Sequence, residues 1–228
     1  MPDHFDVHIN ISYNYIFVIQ SLPSDELPTG KRLYDDIIRR RCELRNVESR
    51  YFQVDSKDEF FSLISRIVDG VLNKKVIPIL HFEMHGDDKG FQLANGELGD
   101  WEELALYFRQ MNVHLKNGLL ITLGVCEGIY LYQIINPIEP APFWGIIGPK
   151  TKIANIHIEA DFTEFYNTLL SSYDFGQALK DLNLFHGHYK YAIITCDMIW
   201  QMFVEMAKEL GRPIPKEEET RKRFLLIT

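Results

Sequence analysis

Apolar runs alternate along the chain with stretches of helical period. Tyr15-Ile16-Phe17-Val18-Ile19 is a continuous apolar run ending at Leu22-Pro23, the pattern of a strand buried on both faces. Leu33, Ile37, Ile38 and Cys42 then recur at helical spacing between Gly30 and Asn46, which predicts a helix over 31–44. Residues 50–54 read as a second strand. Ser56 with Glu59 three positions on is a capping-box pattern opening a helix over 57–72, with Phe60, Phe61, Ile64, Ile67, Val68 and Leu72 as its apolar stripe. The run from Val76 to Met84 predicts a third strand, in which Pro78 requires an edge, a bulge or a late start to the ladder.

Gly90 to Leu93 and the Asn95-Gly96 step predict a small hairpin, because Asn-Gly suits the positive φ values of a tight turn. Asp100 caps a helix to about Met111, and Leu119 to Val125 forms a fourth strand ending on Cys126. A fifth strand is expected over 143–147 and a sixth over 189–195, with helices over 161–172, 175–182 and 197–210. This alternation predicts an α/β fold: a mostly parallel six-stranded sheet reached by right-handed crossovers, with helices on both faces. One domain is expected over 1–228, with its core at about 15–210 and a C-terminal tail at 211–228. The charged, Pro-marked stretch 213–223 is expected to be mobile or to face a partner.

In parallel sheets, functional groups gather outside the carboxyl ends of the strands. His85-Gly86 follows the third strand and Cys126-Glu127-Gly128 follows the fourth. A thiol attacks an amide usefully as thiolate, so it needs a histidine within reach and backbone donors for the developing oxyanion. Adjacent strand ends would supply both, with the amides of Gly86 and Cys126 as oxyanion donors.

Composition narrows the alternatives. The 228 residues carry a formal charge of −8, which disfavours phosphate-driven binding, so nucleic acid is not expected as a partner. The basic run Arg39-Arg40-Arg41 lies among Asp35, Asp36 and Glu43 and reads as a solvated helix face. No signal peptide and no membrane-spanning run are apparent, and three cysteines without metal-type spacing suit a reducing, cytoplasmic setting. Cys42, on a helix stripe, and Cys196, preceded by the turn bearing His186 and His188, are read as packing residues. His81, Glu83 and His85 share one strand face, but the two imidazoles anchor about 13 Å apart, too far for one metal ion. His81 and Glu83 are therefore expected to support the site or satisfy each other beneath it. No metal or organic cofactor is expected.

The strings Ile79-Leu80-His81-Phe82-Glu83-Met84-His85-Gly86-Asp87 and Leu120-Ile121-Thr122-Leu123-Gly124-Val125-Cys126-Glu127-Gly128 resemble the histidine and cysteine strands of the caspase-like peptidases of clan CD, including caspases, metacaspases and bacterial CHAT proteins. Cys126 follows His85 by 41 residues (126 − 85), comparable with the roughly 50 of caspases. Segments 160–166 and 176–179 are similar to the helices that follow in CHAT domains. The resemblance implies a caspase-like three-layer sandwich and peptide-bond hydrolysis through a thioester, with Cys126 as nucleophile and His85 as proton shuttle. Gly124-Val125 stands where caspases carry Gln-Ala, a departure from strict aspartate preference. Asp87 and Glu127 flank the pair and, with Gly128, are candidate supporting residues. Trp144 is read as a core residue or as part of the substrate pocket, and Asp161 as a pocket carboxylate or, better, as a helix N-cap.

The resemblance further implies a protein or peptide substrate, a regulatory or sensor protein partner, and an effector role in prokaryotic antiphage defence. The rival reading is a catalytically silent caspase-like scaffold. A nucleotide-binding domain fits poorly, since Ser21-Leu22-Pro23-Ser24-Asp25-Glu26 offers no glycine-rich cradle and presents two carboxylates.

Overall fold

The computed structural model describes residues 11–184 and 190–227, so His186 and His188 lie outside the described residues. In chain order its strands are β1 (Tyr15–Ser21), β2 (Glu48–Gln53), β3 (Pro78–Gly86), β4 (Gly90–Gln92), β5 (Leu98–Asp100), β6 (Leu120–Gly124), β7 (Gly145–Pro149) and β8 (Tyr191–Thr195). The main sheet has the order β2-β1-β3-β6-β7-β8, parallel except that β8 runs antiparallel to β7. β4 and β5 form the expected hairpin, which turns back from the end of β3.

The helices are α1 (Thr29–Leu33), α2 (Arg39–Arg45), α3 (Lys57–Lys74), α4 (Trp101–His114), α5 (Asn155–Ser172), α6 (Phe175–Leu182), α7 (Cys196–Glu209) and α8 (Glu217–Leu225). A π-helical stretch, Tyr34–Ile38, joins α1 to α2, so the single helix expected over 31–44 is instead one rod with a widened middle turn. A 3-10 segment covers Gly128–Ile134. No described helix is long and apolar enough to cross a membrane.

Alternation along the central strands sorts residues into two layers. Leu80, Phe82 and Met84 of β3, with Ile121, Leu123 and the following Val125, pack under α3, α4, α7 and α8. Ile79 and Leu120 face α1, α2, α5 and α6 on the other side. Pro78 is the first residue of β3, where its missing N–H costs no ladder bond.

Chain ends of the helices follow local chemistry. Ser56 Oγ accepts from Glu59 N at 3.3 Å, while Glu59 Oε2 accepts from Asp55 N rather than from the cap residue itself. Asp100 and Glu103 complete a reciprocal capping box on α4. In α3 the buried stripe includes Leu63 and Val71, and Leu72 is instead exposed. α5 begins six residues before the expected start, which removes Asp161 from any capping role. The stretch expected to be a mobile or partner-facing tail carries α8, whose Phe224 and Leu225 are buried in the core, with Ala141 N donating to Phe224 O at 3.0 Å.

Candidate active site at the carboxyl ends of β3 and β6

β3 and β6 are neighbours, and their register pairs His81 with Thr122 and Glu83 with Gly124. Two residues beyond that last pair, the chain reaches His85 near the end of β3 and Cys126 in the turn that follows β6. Below them, on the side of the sheet that faces α5, His81 and Thr122 touch at 2.8 Å. Cys126 is partly exposed, whereas Cys42 and Cys196 are buried. The Cys126 thiol donates to Ile153 O at 3.4 Å, in the segment leading into α5.

His85 is partly exposed as well, and its Nε2 lies 2.8 Å from Glu26 Oε1. Glu26 belongs to the turn between β1 and α1. Its N–H donates to Pro23 O at 3.0 Å, and Thr29 N donates to Leu27 O at 2.8 Å. Thr29 Oγ1 then donates to Glu83 Oε2 at 3.0 Å, so this turn is fastened to β3 two residues below His85. Sequence reasoning missed Glu26 as a site residue: it lies 59 residues from His85 and belongs to no motif.

Beneath the rim lies a buried polar chain. His81 Nδ1 sits 2.8 Å from Thr122 Oγ1, and His81 Nε2 sits 3.2 Å from Glu83 Oε1. Thr122 Oγ1 and Tyr166 OH are 2.8 Å apart, and burial holds the Tyr166 phenol far above its ordinary titration range. Phe162 and Tyr166 meet the His81 ring edge to face at 4.7 and 5.4 Å. His81 and Glu83 thus satisfy each other as the alternation suggested. Glu83 also explains two glycines: a Cβ on Gly124 would lie 2.5 Å from its Cδ, and one on Gly30 would lie 2.9 Å from its Cγ. Among the described residues, no group of three or more His, Cys, Asp or Glu is arranged to hold a metal ion.

The remaining candidates divide. Gly86 lies where a Cβ would collide with Val125 Cγ1 and approach Gly90 O to 2.7 Å, so the close crossing of the two strand ends needs glycine. Glu127 adopts a left-handed conformation, φ 56°, which turns the chain sharply after Cys126. Gly128 N donates to Val125 O at 2.9 Å and closes that turn. Asp87 is exposed and uses Oδ1 to accept from Lys89 N and Gly90 N at 2.8 and 3.1 Å, holding the β3–β4 turn.

Asp161 and Trp144 are placed elsewhere. Asp161 is fully buried within α5 and accepts from Tyr191 OH at 2.8 Å. Trp144 precedes β7, its N–H bonding to Leu119 O, and therefore sits at the amino end of the sheet, away from Cys126. Its ring meets Phe175 edge to face at 6.1 Å, a packing role. On α5, Glu159 pairs with Arg32 at 3.0 Å; burial raises its carboxyl above the usual range, Arg32 opposes this, and Glu83 and Asp36 add to it. Beside Glu26, a cleft of about 690 Å³ opens over the ends of β1 and β2, lined in part by Gln20, Tyr51, Gln53 and Asp55.

No protein-family model matches this sequence, and no curated protein sequence is similar to it. Among solved structures, the chain is similar to that of the Drosophila initiator caspase Dronc, with a TM-score of 0.56 and 10% sequence identity over 80% of each chain. At that identity the likeness is one of architecture: the protein has a caspase-like fold.

Proposed function

We propose that the protein is a cysteine peptidase that cleaves protein or peptide substrates with Cys126 as nucleophile and His85 as its base. The observation that carries this reading is the pairing of β3 with β6, because a partly exposed imidazole, His85, and a partly exposed thiol, Cys126, each follow its last paired residues, Glu83 and Gly124, by two positions. The caspase-like fold supports it independently.

His85 takes the thiol proton as the sulfur attacks the scissile carbonyl, and the negative charge develops on the carbonyl oxygen. The backbone N–H groups of Gly86 and Cys126 are the proposed donors to that oxygen. The C–N bond breaks, the amine leaves with the proton held on His85, and a thioester to Cys126 remains. Water then gives a proton to His85 as its oxygen attacks the thioester carbonyl, the C–S bond breaks to release the acid, and His85 returns the proton to the Cys126 sulfur. No step draws on a metal or organic cofactor. The resemblance of both strand motifs to CHAT-type peptidases extends the proposal to a regulated cytoplasmic effector of antiphage defence, switched by a protein partner.

Thiol labelling tests the chemistry. Desolvation pushes the Cys42 thiol up to about 12 and the Cys196 thiol higher still, so both stay protonated and unreactive at neutral pH. Iodoacetamide at pH 7.5, read by peptide mass spectrometry, is expected to modify Cys126 first, at a rate that falls at least about tenfold in His85→Ala. Cleavage of a denatured protein substrate is expected to vanish in Cys126→Ala. Labelling of Cys126 unaffected by His85→Ala, with no cleavage by the wild type, would leave a catalytically silent scaffold as the reading.

A further inference from the structure

We propose that Glu26 is the positioning residue that orients the His85 imidazole, holding the proton on Nε2 and leaving Nδ1 as the base that faces Cys126. The inference rests on the peptidase reading above. Its geometric basis is the 2.8 Å approach of Glu26 Oε1 to His85 Nε2.

An ionised carboxylate only accepts hydrogen bonds, and a neutral imidazole carries one N–H, so a carboxylate at Nε2 selects the tautomer with its proton there. The lone pair is then on Nδ1, the nitrogen left for a thiol in the turn that follows the neighbouring strand. Glu26 is held for this task from both sides. The Pro23–Glu26 turn closes behind it, and Pro28 and Thr29 lead directly into α1, where Thr29 is anchored on Glu83. The fastening point lies two residues below His85 on the same strand and face, so loop and imidazole share one frame. The neighbouring charges are occupied otherwise. Asp87 Oδ1 accepts from two backbone amides, Glu83 meets Thr29 and His81, and Lys31 Nζ pairs with Asp35 at 2.6 Å.

A merely structural acid in this loop would change stability; an orienting one changes the ring and the turnover. The test compares wild type, Glu26→Gln and Glu26→Ala in two measurements. In ¹⁵N-imidazole NMR of the neutral ring, the Nε2–H tautomer is expected to be complete in the wild type and to fall toward the free-imidazole mixture in Glu26→Ala. In peptide hydrolysis, Glu26→Ala is expected to lower kcat about 10- to 100-fold with KM within about twofold. Glu26→Gln keeps an amide oxygen as acceptor and is expected to recover at least about tenfold of that loss. An unchanged tautomer and unchanged kcat in Glu26→Ala would overturn the assignment. A tautomer that responds to Glu26→Ala in a wild-type protein that hydrolyses nothing would uphold the orienting contact and overturn the peptidase reading instead.

Discussion

The two faces of β3 and β6 are made from alternate residues of the same strings, yet they differ in kind. Toward α3 and α4 stand Leu80, Phe82, Met84, Ile121, Leu123 and Val125, all buried and all apolar. Toward α1 and α5 stand His81 and Glu83 opposite Thr122 and Gly124. The first face is held by area removed from water, a non-directional force that tolerates substitution by volume. The second is held by directed contacts at 2.8 to 3.2 Å, each of which fixes an orientation. Below them Ile79 and Leu120 join the apolar cluster of α5 and α6, so both sides of the sheet supply cohesion, and the second adds polar groups that fix orientation near the strand ends.

The largest break in this contrast is expected from Phe82→Ala. Phe82 is buried between Phe60 and Phe108, at ring separations of 5.9 and 6.1 Å. The loss should be about 3–5 kcal/mol in urea unfolding, while Cys126 of the fraction still folded labels at the wild-type rate. A loss under about 1 kcal/mol would mean that the apolar face is not the main source of cohesion. Gly124→Ala comes next, because its Cβ must displace the Glu83 carboxyl. It should cost about 1–3 kcal/mol and, unlike Phe82→Ala, slow alkylation of Cys126 in the folded protein. Unchanged alkylation would show that the polar chain does not reach the rim. The smallest effect is expected from Tyr166→Phe, which removes one hydroxyl partner of Thr122. About 1 kcal/mol should be lost in thermal unfolding, with labelling unaltered.

The sequence made the sheet easy to read where strands are buried on both faces. β1 opens on a continuous apolar run, β3 and β6 are apolar apart from His81, Glu83 and Thr122, and the ends of these last two pointed to His85 and Cys126 as candidates. Hydrophobic pattern could not reveal α8, since Glu217-Glu218-Glu219-Thr220-Arg221-Lys222-Arg223 has no apolar stripe and only Phe224 and Leu225 anchor it. Asp161 looked like a cap because Asp-Phe-Thr-Glu imitates a helix start; its actual partner, the Tyr191 hydroxyl, sits 30 residues away across the layer. Glu26 was visible only as a charge that would repel phosphate. Its contact with His85 arises because β1 and β3 are parallel neighbours, so the turn after β1 and the end of β3 emerge on the same rim. Pairing of this kind is a property of strand order, which local spacing does not encode.

In the proposed peptidase, that strand order also governs when reactivity can appear during folding. Glu26 and His85 are 59 residues apart, and the β3–β6 partners are separated by 41. Such distant pairings carry a loop-closure cost and form slowly compared with helix–helix contacts inside one segment. On that proposal, a chain emerging from synthesis holds Cys126 apart from the His85 imidazole until the middle of the sheet has zipped. A folded molecule whose β1–β3 or β3–β6 ladder opens returns to that inert condition.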